Sequence, residues 1–239
     1  MIHPAAQAGF SRSAEAYERG RPEYPAAALQ ALDLHAPLVV LDLAAGSGKL
    51  TRPLLKYGIE VVAVEPVSEM RSALPAEARV LEGTAERIPL DASSVDLVTV
   101  GQAFHWFDGD LALAEIHRVL RPRGRLALLW NRRIEGDPVN RAIDAIVDPH
   151  RSDVPTHRVD AWRAVFERTT LFGPLDETVF TNEQVLDADG LADRVGSISF
   201  IASLPEGPRA GVIAAARELA SDGPVTVRYR TEVCISPRI

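Results

Sequence analysis

A single cysteine, Cys234, leaves nothing for an intrachain disulfide to join, which fits a reducing compartment. No apolar stretch approaches the roughly 20 residues that a membrane-spanning helix needs. Met1 to Phe10 carries no apolar signal core either. The expectation is a soluble, cytoplasmic protein with no membrane partner. Positive charge is also short, with 26 basic against 33 acidic side chains and a net charge of −7. A duplex-binding protein normally presents a basic surface that displaces phosphate counterions, so no nucleic-acid partner is expected. The six histidines are scattered, with no pair at the i, i+4 spacing of a helical metal site, so no metal is expected. Internal repeats, low-complexity tracts and long linkers are missing too.

What remains is an ordinary globular composition, 46% hydrophobic and 25% charged over 239 residues. That length suits one α/β domain with an appendage. Short apolar runs alternate with helical patterns through the first half, which predicts βαβ units on a parallel sheet. The predicted strands are Leu38 to Leu43, Glu60 to Glu65, Ala78 to Glu82, Val95 to Val100 and Arg125 to Trp130. Continuous runs such as Val61 to Val64 suit strands covered on both faces. Pro25 is placed to open a helix, and Leu113, Ile116 and Leu120 form an apolar helical stripe ended by Pro122 and Gly124.

After Asn131 the rhythm changes. Arg132 to Leu171 reads as helical, followed by a strand near Glu177 to Thr181 and helices around Leu191 to Ala202 and Pro208 to Ser221. Val225 to Ile235 alternates Val227, Tyr229, Thr231 and Val233 with Arg228, Arg230 and Glu232, which predicts a strand closing the sheet antiparallel at its edge.

The chemistry begins where the first strand ends. Asp42-Leu43-Ala44-Ala45-Gly46-Ser47-Gly48-Lys49-Leu50-Thr51 runs from a buried strand through small residues into a helix, so a ligand can approach the main chain. A nucleoside triphosphate loop fails, because Lys49 is followed by Leu50 and Leu43 stands where its first glycine belongs. A dinucleotide fingerprint matches Gly46 and Gly48 but has Thr51 for its third glycine. S-adenosylmethionine, with ribose hydroxyls, an amino-acid end and no phosphate, asks for carboxylates and carbonyls. Glu65, ending the next strand, is placed to accept from vicinal ribose hydroxyls in either nucleoside ligand, so this segment alone leaves both open.

The later segments carry a resemblance. Asp42 to Gly48, Glu65, Gly83-Thr84-Ala85-Glu86, Ser94 to Val100 and Leu120-Arg121-Pro122-Arg123-Gly124-Arg125-Leu126, taken in order, resemble a class I S-adenosylmethionine-dependent methyltransferase of the type 11 kind. Phe10-Ser11, Tyr17, Arg21-Pro22, Tyr24-Pro25, Gln102 to Asp108 and Tyr229-Arg230-Thr231-Glu232 resemble its trans-aconitate methyltransferase-like subgroup. The resemblance implies a doubly wound, Rossmann-like, mostly parallel seven-stranded α/β sheet with an antiparallel edge strand and a helical substrate-side insertion. It divides the chain into a lid segment (1–36), a cofactor-binding core (37–131) and a helical insertion with the last strands (132–239).

Roles carry over residue by residue. Asp42 and the Ala44, Gly46 and Gly48 turn would hold the amino-acid part of S-adenosyl-L-methionine, and Glu65 the ribose. Ala85 and Glu86 would meet the adenine, with Met70 on its face, and Gln102 joins the same set. Ala44 departs from the family pattern, where glycine is commonest. Tyr17 and Arg21 would fold over the cofactor as a lid. His105 is the catalytic candidate, as a base or, with Trp106, as an aromatic wall beside the sulfonium. Arg132 and Arg133 are candidates to clamp a carboxylate. The expected reaction is methyl transfer to a small molecule, at oxygen or nitrogen and with a carboxylate among the candidate acceptors, by a monomer or homodimer. The alternatives are a non-catalytic S-adenosylmethionine-binding protein and an NAD-dependent oxidoreductase.

Overall fold

Strand β1 (Val39–Leu43) is buried over its last four residues, as a run apolar on both faces requires. In the computed structural model, which describes residues 18–151 and 160–239, it is joined by β2 (Glu60–Val64), β3 (Arg79–Leu81), β4 (Val95–Gly101), β5 (Leu120–Arg133), β6 (Asp176–Leu186) and β7 (Val225–Pro237). The seven strands form one sheet in the order β3-β2-β1-β4-β5-β7-β6. Pairings are parallel from β3 through β5, and β7 runs antiparallel to both β5 and β6. The strand order reverses between β1 and β4, which opens a crevice at their carboxyl ends.

Alternating residues of the strands face opposite layers. Leu41, Val62, Val98, Leu128 and Trp130 pack on one side with Ile116 and Val165, which come from α4 (Gly109–Val119) and α6 (Ala164–Arg168). Val40, Val61, Leu97 and Leu129 pack on the other side with Leu29 and Leu54, from α1 (Ala26–Gln30) and α2 (Thr51–Leu55). A short α3 (Ser68–Arg71) follows β2. Further along, α5 (Pro138–Val147), α7 (Ala188–Gly196), α8 (Ser199–Ala202) and α9 (Glu206–Glu218) form a third cluster against Val227 and Tyr229 of β7. The fold is therefore doubly wound, as expected, with a helical layer beside the last strands.

Three expectations change in detail. Val225 to Ile235 pairs antiparallel as predicted but lies one strand inside the edge, which β6 occupies. The reason is composition: Val227, Tyr229, Val233 and Cys234 are buried and need cover on both sides, whereas β6 is largely exposed, with polar Glu177, Asn182 and Glu183, as an edge tolerates. Second, helix α4 stops at Val119, before the expected Leu120. Pro122 to Gly124 fall in an irregular start of β5, where the register with β4 shifts and Arg123 takes φ 69. Third, Arg132 and Arg133 continue β5 instead of opening a helix.

Candidate functional site

Asp42 is the fourth residue of β1, opposite Ala63 of β2 and Thr99 of β4 at the point where the strand order turns. Its carboxylate accepts from Thr51 Oγ1 at 2.6 Å and from Thr99 Oγ1 at 3.3 Å. It is 1% exposed. Burial raises its pKa to about 7, against the pull of those hydroxyls and with a further push from Glu65. Glu65 follows β2 and is likewise buried. Its two oxygens accept from the Gly46 and Val67 backbone N–H groups, each at 2.9 Å. Burial pushes its pKa upward in spite of these bonds.

The turn between them has a left-handed start. Ala44, Gly46 and Gly48 take φ 56, 58 and 93, a region that costs an alanine about 1–2 kcal/mol. Ala44→Gly is therefore expected to raise stability by about 1 kcal/mol, readable as a higher denaturant midpoint at unchanged slope. A side chain at Gly48 would also crowd Leu74 and Pro75, 3.2 Å from its Cβ position.

This arrangement does not suit a phosphate. The Gly46 N–H is already committed to the Glu65 carboxylate. The Lys49 ammonium is taken by Glu23 at 2.6 Å and lies 3.7 Å from Glu18. Each Glu65 oxygen, accepting one N–H, keeps a second acceptor direction for a ligand hydroxyl.

Glu18 and Glu23 belong to a strap, residues 18–25, that crosses the crevice. On the glycine-turn side Glu18 accepts from Ser47 Oγ at 2.6 Å and Arg52 at 3.0 Å. On the far side Arg19 pairs with Asp193 at 2.7 Å, Arg21 donates to the Ser197 carbonyl at 2.6 Å, and Gln184 and Asn182 donate to the Gly20 and Glu23 carbonyls. Beneath it lies a cavity lined by Arg21, Tyr24, Asp42, Ala44, Gly46, Lys49, Gln102 and Asn131 among others.

Five of the anticipated residues thus share one cavity: Arg21, Asp42, Ala44, Gly46 and Gln102. Glu65 reaches it through Gly46. Gln102, at φ 58, donates from its side-chain amide to the Asn131 carbonyl at 3.1 Å. Gly48, Met70, Ala85 and Glu86 lie outside the lining. Met70 and Ala85 are buried, and Glu86 accepts from the Asp108 N–H at 3.2 Å. Tyr17 falls outside the described residues.

His105 stands apart from the lining in a 3-10 turn, Phe104–Trp106, after β4. Its ring packs on Trp106 and Trp130, at 4.8 and 5.5 Å between centroids. Burial, reinforced by the Arg21 charge, drives its pKa down to about 3. The adjacent arginines do not clamp anything together. As neighbours on a strand they point to opposite faces, where Arg132 pairs with Glu232 at 2.8 Å and Arg133 pairs with Asp144.

Sequence reasoning gave no role to Tyr24 and Asn131. A polar residue closing an apolar strand at the carboxyl edge was the available signal for Asn131. Its side-chain oxygen accepts from Thr231 Oγ1, at 2.5 Å, and from Asn182, and its amide donates to Glu23 O. Among the described residues no group of three or more His, Cys, Asp or Glu side chains is arranged to hold a metal, and no helix is long and apolar enough to cross a membrane.

A methyltransferase-domain family model matches residues 41–128. An uncharacterized methyltransferase of Mycobacterium tuberculosis is 42% identical over 224 residues, spanning 90% of this chain and 86% of the relative. An uncharacterized methyltransferase-like protein of Schizosaccharomyces pombe is 34% identical over 90% of this chain and 87% of its own length. Among solved structures, a protein of Anaeromyxobacter dehalogenans classed as a type II methyltransferase superposes with a TM-score of 0.68 at 25% identity, covering 91% of this chain and 97% of the other.

Proposed function

Because this chain belongs to the class I S-adenosylmethionine-dependent methyltransferases, we propose that it methylates a small molecule at oxygen or nitrogen, in a crevice closed by the 18–25 strap. The observation that carries this reading is the placement of two buried carboxylates from successive strands around the glycine turn, Glu65 bonded to the Gly46 N–H within it and Asp42 bonded to Thr51 just beyond it, with the Gly46 N–H already committed and so not offered to a phosphate.

The donor set fits the family's cofactor, whose bound sulfonium supplies the methyl for in-line attack. Asp42 and the Ala44 to Gly48 turn hold the amino-acid end, where a carboxylate answers an ammonium. Glu65 takes the ribose hydroxyls with its remaining acceptor directions. Ala85 and Glu86, on the loop after β3, meet the adenine with Met70 nearby. Arg21 and Gln102 wall the crevice toward the acceptor. Closing the strap over the turn excludes water, which favours an attack that neutralises charge.

His105 works uncharged. A ring that takes up a proton only near pH 3 is a weak base, so it orients the acceptor by hydrogen bonding and wall contact instead of removing a proton. With cofactor saturating, kcat is expected to show no ionisation near pH 6.5 that His105→Gln removes, while that substitution lowers kcat on the order of 10-fold. A pKa near 6.5 that vanishes in the variant contradicts the assignment.

The resemblance to the trans-aconitate methyltransferase-like subgroup favours a carboxylate acceptor, which needs no general base. The decisive assay is a panel of small acids, phenols and amines incubated with S-adenosylmethionine and scored by S-adenosylhomocysteine formation. Turnover of one class supports the reading, and tight binding without turnover of any class favours a non-catalytic sensor.

A further inference from the structure

Arg194 is the one charged side chain of α7 that turns inward. It is 6% exposed, and its Nε donates to Tyr229 Oη at 2.9 Å. The guanidinium carbon lies 5.8 Å from the Tyr229 ring centroid. Among the described residues no carboxylate pairs with it, and its buried Nη1 has no hydrogen-bond partner there. A guanidinium never sheds its charge in a protein, and a neutral phenol with a modest cation–π contact is poor compensation for removing a cation from water. Neighbouring arginines illustrate the usual solution: Arg132 and Arg133 each have a carboxylate, and the adjacent Asp193 is taken by Arg19.

The position of this charge relates it to the crevice. Tyr229 and Thr231 share a face of β7, one pleat of roughly 7 Å apart. Thr231 holds Asn131, which lines the cavity. Tyr229 holds Arg194 and donates to Gln184, which in turn anchors the strap at Gly20. Gly20 packs so closely on α7 that a Cβ there would fall 2.5 Å from Arg194 N. Arg21, the next strap residue, donates to the carbonyl of Ser197, which caps the end of the same helix, and also lines the cavity. Arg21 therefore lines the cavity, and Arg194 lies behind it, linked through Tyr229 and Gln184 to the same strap; the last-strand Tyr-Arg-Thr-Glu segment holds the Asn131 wall through Thr231 and Arg194 through Tyr229.

We propose that Arg194, held by Tyr229, is a specificity-determining residue that receives an anionic group of the methyl acceptor, a carboxylate or a phosphate, when the strap admits it. This rests on the methyltransferase reading above, and it assigns the acceptor's charge from a residue that reading leaves unused.

The test uses the full chain with saturating S-adenosylhomocysteine, following the thermal midpoint as citrate or inorganic phosphate is added at constant ionic strength set with chloride. The wild-type midpoint is expected to rise saturably with one of the two anions, citrate indicating a carboxylate subsite and phosphate a phosphoryl one. Arg194→Met, which removes the unpaired charge and keeps the aliphatic stem, is expected to melt higher than wild type without anion, to lose the anion response, and to bind S-adenosylhomocysteine unchanged. Arg194→Lys keeps a charge with the wrong reach and is expected to need at least 10-fold more anion. A wild-type midpoint indifferent to both anions overturns the proposal, as does a Met variant that melts lower or fails to fold, or an undiminished response in either variant. Failure of the wild type to bind S-adenosylhomocysteine faults the methyltransferase reading itself, a separate result.

Discussion

Asp42→Asn is expected to make the protein more stable and unable to bind its cofactor. The carboxyl is buried in β1 and its pKa stands at about 7, well above the ordinary value of 3.8. An acid whose folded pKa is raised binds its proton more tightly in the folded state. Its stabilising contribution is therefore complete below about pH 4 and is lost as pH rises through 7. At pH 8 the native protein carries an ionised group that burial disfavours. The amide removes that burden, still accepts from Thr51 and can donate to Thr99. The expected gain at pH 8 is on the order of 2 kcal/mol, or about 4–8 °C in Tm, shrinking toward pH 4. Cofactor affinity moves the other way. In the wild type it weakens as pH falls below about 7, because the protonated carboxyl no longer answers an ammonium, and in the variant it is low and flat with pH. Calorimetric titration with S-adenosylhomocysteine across this range reads both. A variant that is less stable at pH 8, or that binds as tightly as wild type, shows Asp42 to be a structural acid only.

Glu65→Ala is expected to weaken S-adenosylhomocysteine binding by about 100-fold. Two hydroxyl bonds to a charged acceptor contribute roughly 1.5 kcal/mol or more each, and 1.4 kcal/mol is a factor of ten. The same change leaves the Gly46 and Val67 N–H groups without their acceptor, so stability should fall by about 1–3 kcal/mol. The two effects separate when binding is measured at a temperature where the variant is fully folded. A loss of stability with unaltered affinity assigns Glu65 to the turn alone.

The parallel half of this fold was legible because its strands are buried on both faces and carry uninterrupted apolar runs, as in Val61 to Val64. The glycine turn was legible because a ligand-accepting main chain needs small residues in a fixed order, and Asp42, Gly46 and Glu65 do meet there. The antiparallel half was harder to read. Whether Val225 to Ile235 lies at the edge or one strand inside depends on a partner, β6, whose exposed polar residues carry little periodic signal. Arg132 and Arg133 looked like a clamp because sequence adjacency conceals the pleat that sends them to opposite faces. A lid was expected over 1–36, but the contacts that anchor its strap were not legible: Glu18, Arg19 and Arg21 find their partners at Ser47, Asp193 and Ser197, which only the folded chain brings together. Ala44 departs from the family's glycine, yet it adopts the left-handed conformation a glycine would take, so the substitution costs stability and leaves the turn in shape.

The most direct measurement is a pair of calorimetric titrations of the unaltered protein at pH 8, one with S-adenosylhomocysteine and one with NADH. Saturable one-site binding of the first and no heat from the second is the predicted result. Binding of NADH with no response to S-adenosylhomocysteine contradicts a crevice shaped by carboxylates for a nucleoside without phosphate.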